Sequence, residues 1–233
     1  MIFAGICAGG QGTRLKSKTN PDTPKQFLLL RGKPVISYSV ETFLRLENIE
    51  KIFVAAAEEN IEYCERLFTD KKVKVIKGGR TRGETVALLA EECERYPGSS
   101  PWDILATHDA ARPFVTLGAI GRAVEAARAY GVSGTALPAF DTVLRCSEGD
   151  VTDAPPRCEM FLAQTPQCFK TGLFKEVWDG LSEEERVNAT DVCGMFYRAG
   201  KRVKIVEGDI ECFKITFAED LDRAENWIRK KEE

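Results

Sequence analysis

Short apolar runs alternate along this chain with segments whose apolar residues recur at helical spacing. IFAGICA (2–8) reads as a first strand, and Pro34 opens a helix carrying Val35, Val40, Phe43 and Leu44. KIFVAAA (51–57) predicts a strand, 58–68 a helix, VKVI (73–76) a strand, and 82–96 a helix that follows a Gly-Gly pair. Residues 103–107 predict a strand ending at HDAARP, Thr116 caps a helix through Tyr130, and VSGTALP (132–138) is the next strand. The pattern then breaks over 142–169, where a SEGD turn and two adjacent prolines leave little helical period. Two short strands reaching away from the core fit this stretch. Helices at 173–181 and 190–199, strands at VKIVEG (203–208) and FKIT (213–216), and a closing helix at 218–231 complete the chain.

Such alternation predicts an α/β fold: a Rossmann-like, mostly parallel sheet with helices on both faces. The expected organisation is a single domain over 1–233, with a protruding β-arm at 142–165. In sheets of this kind ligands bind beyond the carboxyl ends of the strands. Three polar, glycine- or proline-punctuated segments follow predicted strands and so converge on one rim: the loop after strand one, GGRTRGET and HDAARP.

Composition narrows the partners. The chain has 233 residues and a net charge of −3, without the basic surplus that nucleic-acid binding demands. No apolar run reaches the length of a membrane span, and MIFAGICAGG lacks the charged start of a signal peptide. The eight cysteines form no C-x-x-C pair, which fits buried, reduced thiols in a cytoplasmic protein. His108 is the only histidine, which argues against a His-rich zinc site and a Ser-His-Asp triad.

The stretch CAGGQGTRLKSKTNPDTPKQF opens like a phosphate loop, with Gly9, Gly10 and Gly12 letting backbone N–H groups approach a ligand. It is not a dinucleotide fingerprint, because Leu15 stands where the third glycine belongs and Pro21 and Pro24 forbid the helix that should follow. It is not a Walker loop either, since no G-K-[ST] is present and GGRTRGET carries Glu84 where the lysine would stand. A long loop folding over a triphosphate remains, with Arg14 and Lys25 as its cations. A single Arg or Lys is ordinarily just a solvated surface charge. Two that bracket a Gly- and Pro-rich loop after the first strand point to phosphate.

GGQGTRL…PKQF, GGRTRGET, HDAARPF, AQTPQ (163–167), the Thr190-Asp191 pair and GDIECFKITFAEDL (208–221) follow one another in an order and spacing that resembles the alditol-phosphate cytidylyltransferases over nearly the whole chain. The resemblance implies nucleotidyl transfer from CTP to an alditol phosphate, with Mg²⁺ as the divalent cofactor. The nucleophile is a phosphate with a second pKa of about 6, so no general base is needed, which agrees with a chain almost without histidine. The same resemblance implies that Arg14 and Lys25 are the catalytic cations. It places Ala8, Gly9, Gly10, Gly12, Gly79, Arg80, Thr85 and Ala110 around the nucleotide, with an arginine at position 80 where an acid or small residue is common. Asp109 would anchor the metal. Arg112, Arg157, Thr165, Thr190 and Lys214 would hold the second substrate, with Arg157 serving the neighbouring site of a homodimer that exchanges the arm.

The motifs lean toward D-ribitol 5-phosphate as that substrate, with 2-C-methyl-D-erythritol 4-phosphate as the alternative. Two remoter readings differ in kind. A UDP- or dTDP-sugar nucleotidyltransferase shares the G-x-G-T-R-L form but lacks the AQTPQ arm. A non-catalytic nucleotide-binding protein would not need Arg14, Lys25 and Asp109 together.

Overall fold

The computed structural model of the protein describes residues 1–10 and 23–232, so Gly12 and Arg14 lie outside the described residues. In chain order the elements begin with β1 (Ile2–Ala8), β2 (Leu29–Leu30), β3 (Lys33–Pro34), α1 (Val35–Leu44), β4 (Lys51–Ala56), α2 (Ile61–Leu67) and β5 (Val73–Lys77). They continue with α3 (Arg82–Glu94), β6 (Ile104–Asp109), α4 (Leu117–Tyr130), β7 (Val132–Pro138), β8 (Arg145–Ser147), β9 (Asp150–Asp153) and β10 (Phe161–Lys170). Helices α5 (Thr171–Gly180), α6 (Glu183–Val187) and α7 (Val192–Arg198), then β11 (Lys204–Glu207) and α8 (Ala218–Glu232), close the chain.

Seven strands form one sheet in the order β11-β7-β10-β6-β1-β4-β5. All neighbours pair in parallel except β10, which runs antiparallel to both β6 and β7. Strand alternation divides the core into two layers. Ile2, Ala4, Ile6 and Ala8 of β1 pack with Ile36, Val40 and Phe43 of α1 and with Ile120, Ala123 and Ala127 of α4. On the other face Phe3, Phe53 and Leu105 meet Leu89 and Cys93 of α3, Phe174 of α5 and Phe196 of α7. A β-carbon added to Gly5 would lie 2.8 Å from a Leu89 methyl, so the glycine permits α3 to approach β1 this closely.

Local chemistry sets the helix ends. The Thr116 hydroxyl accepts the Ala119 N–H at 3.1 Å and starts α4, which stops at Gly131 with φ of 89°. Ser182 and Glu185 form a reciprocal capping box on α6, a short helix that the apolar pattern alone did not predict.

Two expectations from the sequence are corrected. Residues 161–170, placed within the irregular stretch, form a long strand of the central sheet. Pro166 lacks a ladder donor, but it falls where the pairing to β7 shifts register between Ala163 and Gln167, an irregularity that tolerates proline. FKIT (213–216), expected as a strand, is not one. Its alternation has a different origin. Ile215 is buried beside Phe114 and Ala224 and donates its N–H to the Ala111 carbonyl at 2.9 Å, while Lys214 turns the other way.

Residues 139–160 hold the β8–β9 hairpin and a short 3-10 turn at Arg157–Glu159. Phe140, Leu144 and Val151 expose their apolar side chains here, as do Phe161 and Leu162 at the adjoining start of β10.

Candidate active site

The carboxyl ends of β1 and β6 open onto a cavity of about 300 Å³, at the lower end of the range for small-molecule sites. Cys7, Gly9 and Gly10 form one wall, where β1 gives way to the glycine loop. Gln26 clamps this wall from behind. Its side chain is buried, and its amide donates to the Ala8 carbonyl at 2.7 Å and to the Gly10 carbonyl at 3.0 Å. Lys25, first residue of a 3-10 turn anchored by buried Gln26 and Phe27, lines the same cavity.

The opposite wall is the turn into α3. The Thr85 hydroxyl accepts the Gly79 N–H at 3.1 Å and donates to the Thr81 carbonyl at 2.8 Å, folding the turn back on the helix. A β-carbon on Gly79 would sit 2.4 Å from that of Glu84 and 2.8 Å from its backbone, so this close return needs glycine. The Thr81 side chain caps α3 by accepting the Glu84 N–H. Glu84 in turn accepts the Arg80 N–H and the Arg80 Nη2–H, both at 2.8 Å, and the Arg80 side chain is 86 % exposed.

Asp109, last residue of β6, forms the centre of the floor. Its Oδ1 accepts from Arg82 Nη1 at 2.6 Å, and its Oδ2 faces Lys214 Nζ at 2.9 Å and Arg112 Nε at 3.4 Å. Burial pushes this carboxyl upward, but the summed attraction of Arg82, Lys214 and Arg112 prevails and holds it well below the ordinary carboxylate range. Burial likewise works against the Arg82 charge, and the groups around it, Asp109 foremost with Cys7 and Asp191, together outweigh that cost. One carboxylate and three cations leave a local charge of +2, to which Lys25 adds on the cavity wall. The cavity is therefore built for a polyanion.

His108 supports Asp109 from below and is fully buried. Its Nε2 lies 3.0 Å from the Arg112 carbonyl, which can only accept, so Nε2 carries the proton. Its Nδ1 then accepts from the Thr165 hydroxyl at 2.9 Å, and the Thr165 oxygen accepts the Asp109 N–H at 3.2 Å. Burial lowers the His108 pKa to about 4, so the ring is neutral at physiological pH. It is a structural link with no route to the cavity.

Mg²⁺ demands near-octahedral oxygen coordination at roughly 2.0–2.1 Å. Asp109 is the only carboxylate among the described residues lining the cavity, and both its oxygens already accept from cations. A unit-charge pair 4 Å apart interacts by about 4 kcal/mol at an effective dielectric near 20, and a divalent ion doubles this. An ion ligated by Asp109 would meet that repulsion from Arg82 and Lys214 together. The donor set does not fit a metal held on Asp109.

Of the residues expected from the sequence, Gly9, Gly10, Lys25, Gly79, Arg80, Thr85, Asp109, Ala110 and Lys214 share this cavity. Ala8 is buried at the end of β1 with its carbonyl on Gln26. Thr165 is buried under Asp109. Arg112 donates to the Cys212 and Ala163 carbonyls as well as to Asp109. Thr190 is exposed just before the Asp191 cap of α7. Arg157 is exposed on the arm and donates to the Phe140 carbonyl at 3.3 Å. Within one chain, neither Thr190 nor Arg157 is among the residues lining the cavity.

Sequence reasoning missed Arg82 and Gln26. Arg82 carries a readable signal: it is the first residue of α3, where a cation opposes the helix dipole and so calls for a local anion. Gln26 has no comparable signal, since a glutamine in PKQF is unremarkable until the fold brings it to two carbonyls.

The sequence model of the 2-C-methyl-D-erythritol 4-phosphate cytidylyltransferase family matches residues 2–230. Among solved structures, the 2-C-methyl-D-erythritol 4-phosphate cytidylyltransferase of Thermus thermophilus is similar at 29 % identity, over 98 % of this chain and 100 % of that one, with a TM-score of 0.73. The Francisella tularensis enzyme of the same name is similar at 27 % identity, over 97 % and 98 % of the two chains, with a TM-score of 0.79. The 4-diphosphocytidyl-2C-methyl-D-erythritol synthase of Anaerococcus prevotii shares the fold at a TM-score of 0.79, with 22 % identity over 98 % of each chain. The chain belongs to the 2-C-methyl-D-erythritol 4-phosphate cytidylyltransferase family, whose members are nucleotidyltransferases.

Proposed function

We propose that the protein transfers the cytidylyl group of CTP to 2-C-methyl-D-erythritol 4-phosphate in isoprenoid synthesis. The observation that carries this reading is the gathering of Lys25, Lys214, Arg82 and the Gly9–Gly10 backbone around one cavity. The sequence motifs leaned toward ribitol 5-phosphate. That lean yields to the alternative, because the family match and the relatives above all carry the methylerythritol name.

In the proposed reaction a phosphate oxygen of the alditol attacks the α-phosphorus of CTP. A new P–O bond forms, the bond to the bridging α–β oxygen breaks, and its electron pair leaves with pyrophosphate. The nucleophile is already ionised near neutral pH, so no proton need be removed. The barrier is the approach of two anions and the charge that develops on the phosphoryl oxygens. Preorganised cations and amides lower it by position and electrostatics. Lys25 and Arg14 are proposed to flank the triphosphate, and Lys214 to sit between the two substrates. The turn from Gly79 to Thr85, with Ala110, would hold the nucleoside end. Mg²⁺ is proposed to arrive as the metal–CTP complex, since this ion is commonly held by substrate phosphates and retained waters.

A homodimer through the arm is part of the proposal. The exposed Phe140, Val151, Phe161 and Leu162 offer an apolar surface there, and Arg157 would reach the partner's second-substrate site. Cytoplasmic location follows the expected use of reduced thiols.

The test is pyrophosphate release on material sized by light scattering. Each alditol phosphate is supplied with CTP, and UTP and ATP serve as controls. A dimer that uses CTP with methylerythritol 4-phosphate at least about tenfold better than with ribitol 5-phosphate supports the reading; this corresponds to about 1.4 kcal/mol of discrimination. Preference for ribitol 5-phosphate would overturn the substrate, and preference for UTP with hexose 1-phosphates would overturn the reaction. A fully active monomer would remove Arg157 from the partner's site.

A further inference from the structure

Resting on the reading that this cavity takes a nucleoside triphosphate, we propose that Asp109 is a positioning residue. It seats Arg82 and Lys214 on the cavity floor, and the divalent ion arrives on the triphosphate without Asp109 as a ligand. Three observations carry this.

The first is the division of the carboxylate. Oδ1 is engaged by Arg82 at 2.6 Å and Oδ2 by Lys214 at 2.9 Å, with Arg112 Nε farther from Oδ2 at 3.4 Å, so each oxygen closely holds a cation drawn from a distant part of the chain. The second is that these two cations need such an anchor while Arg112 does not. Arg82 begins α3, where its charge opposes the helix dipole. Lys214 lies in a segment with no strand pairing, beyond β11. Arg112, by contrast, is also fixed on the Cys212 and Ala163 carbonyls, both independent of Asp109. The third is that Asp109 is itself locked. It is 8 % exposed, and its N–H donates to Thr165, whose hydroxyl is held in turn by buried His108. A rigid anion beneath two cations fixes where their remaining N–H donors point. Phosphate oxygens can then be met without reorganisation.

Electron–nuclear double resonance of the Mn²⁺–CTP complex on wild-type protein, labelled with ¹³C at the aspartate carboxyl, tests this directly, with Asp109→Asn assigning any carbon coupling to this residue. Phosphorus couplings to Mn²⁺ are expected with no carboxyl-carbon coupling of the size that direct ligation gives. A ligand-sized carbon coupling lost in Asp109→Asn would overturn the proposal. Absence of phosphorus couplings would instead show that the cavity does not take the nucleotide, and the underlying reading would fall. A second measurement separates positioning from mere support of the fold. Asp109→Asn is expected to lower kcat by about 10²-fold and to leave the metal concentration at half-activation within about threefold of wild type. Recovery of the lost rate by added Mn²⁺ would count against the proposal.

Discussion

Replacing Lys25 with alanine is expected to lower turnover by about 10²–10³-fold, the cost of losing one preorganised donor to transition-state charge, about 3–4 kcal/mol. The stability of the protein should change by less than about 0.5 kcal/mol, because the substitution leaves the surrounding apolar contacts in place. The turn that presents Lys25 is held by its neighbours: Phe27 packs edge-on against Tyr63 at 5.2 Å between ring centroids, and Gln26 binds the Ala8 and Gly10 carbonyls. Steady-state kinetics on the variant, with thermal unfolding run alongside, separates the two effects. Near-full turnover by Lys25→Ala would remove this residue from the chemistry.

A second large effect lies in acid stability. His108 has an ordinary value near 6.5, and burial lowers it to about 4 in the folded protein. Below pH 6.5 the unfolded chain takes up a proton that the folded chain refuses, so stability falls as the pH falls from 6.5 to about 4 and is complete above that window. Each pH unit costs about 1.4 kcal/mol, giving a loss of about 3 kcal/mol across it. Since the chain contains one histidine, no other imidazole can produce this slope. Asp109, held below the ordinary carboxylate range, keeps its own stabilising contribution through the window and loses it only at lower pH. Denaturant unfolding at pH 7, 6 and 5 should show the decline in wild type and a flatter profile in His108→Gln. Equal slopes in the two proteins would show that the imidazole is not buried as described.

Much of this was legible before any coordinates. The apolar run Ile2–Ala8 marked β1 as a buried strand, which the fold packs on both faces, and Thr116 and Tyr130 bounded α4 within a residue. The rim of the sheet was legible too, because GGRTRGET and HDAARP each follow a strand, and parallel strands bring their carboxyl ends together. What remained hidden depends on long-range partners. Residues 161–170 looked irregular because Pro166 and the QTPQ polar run mask the strand period. The segment is held in place by the neighbours it inserts between, β6 and β7. FKIT showed the opposite: a strand-like alternation produced by Ile215 in an apolar cluster and Lys214 drawn to an acid 105 residues earlier. Lys214, like Asp109, was named from motif resemblance. Their direct pairing, and the place of Arg82 beside them, required the fold. The cationic setting of Asp109 was hidden for the same reason: Arg112 stands three residues away, but Arg82 and Lys214 reach the carboxylate from distant parts of the chain.

The claim on which the rest depends is that the cations of this cavity receive the triphosphate of CTP. A crystal structure of the CTP complex tests it most directly. The account predicts phosphate oxygens within hydrogen-bonding distance of Lys25, Lys214 and Arg82, with the cytosine lying along the turn from Gly79 to Thr85. A triphosphate bound elsewhere, or in this cavity with its phosphates turned away from all three cations, would contradict it.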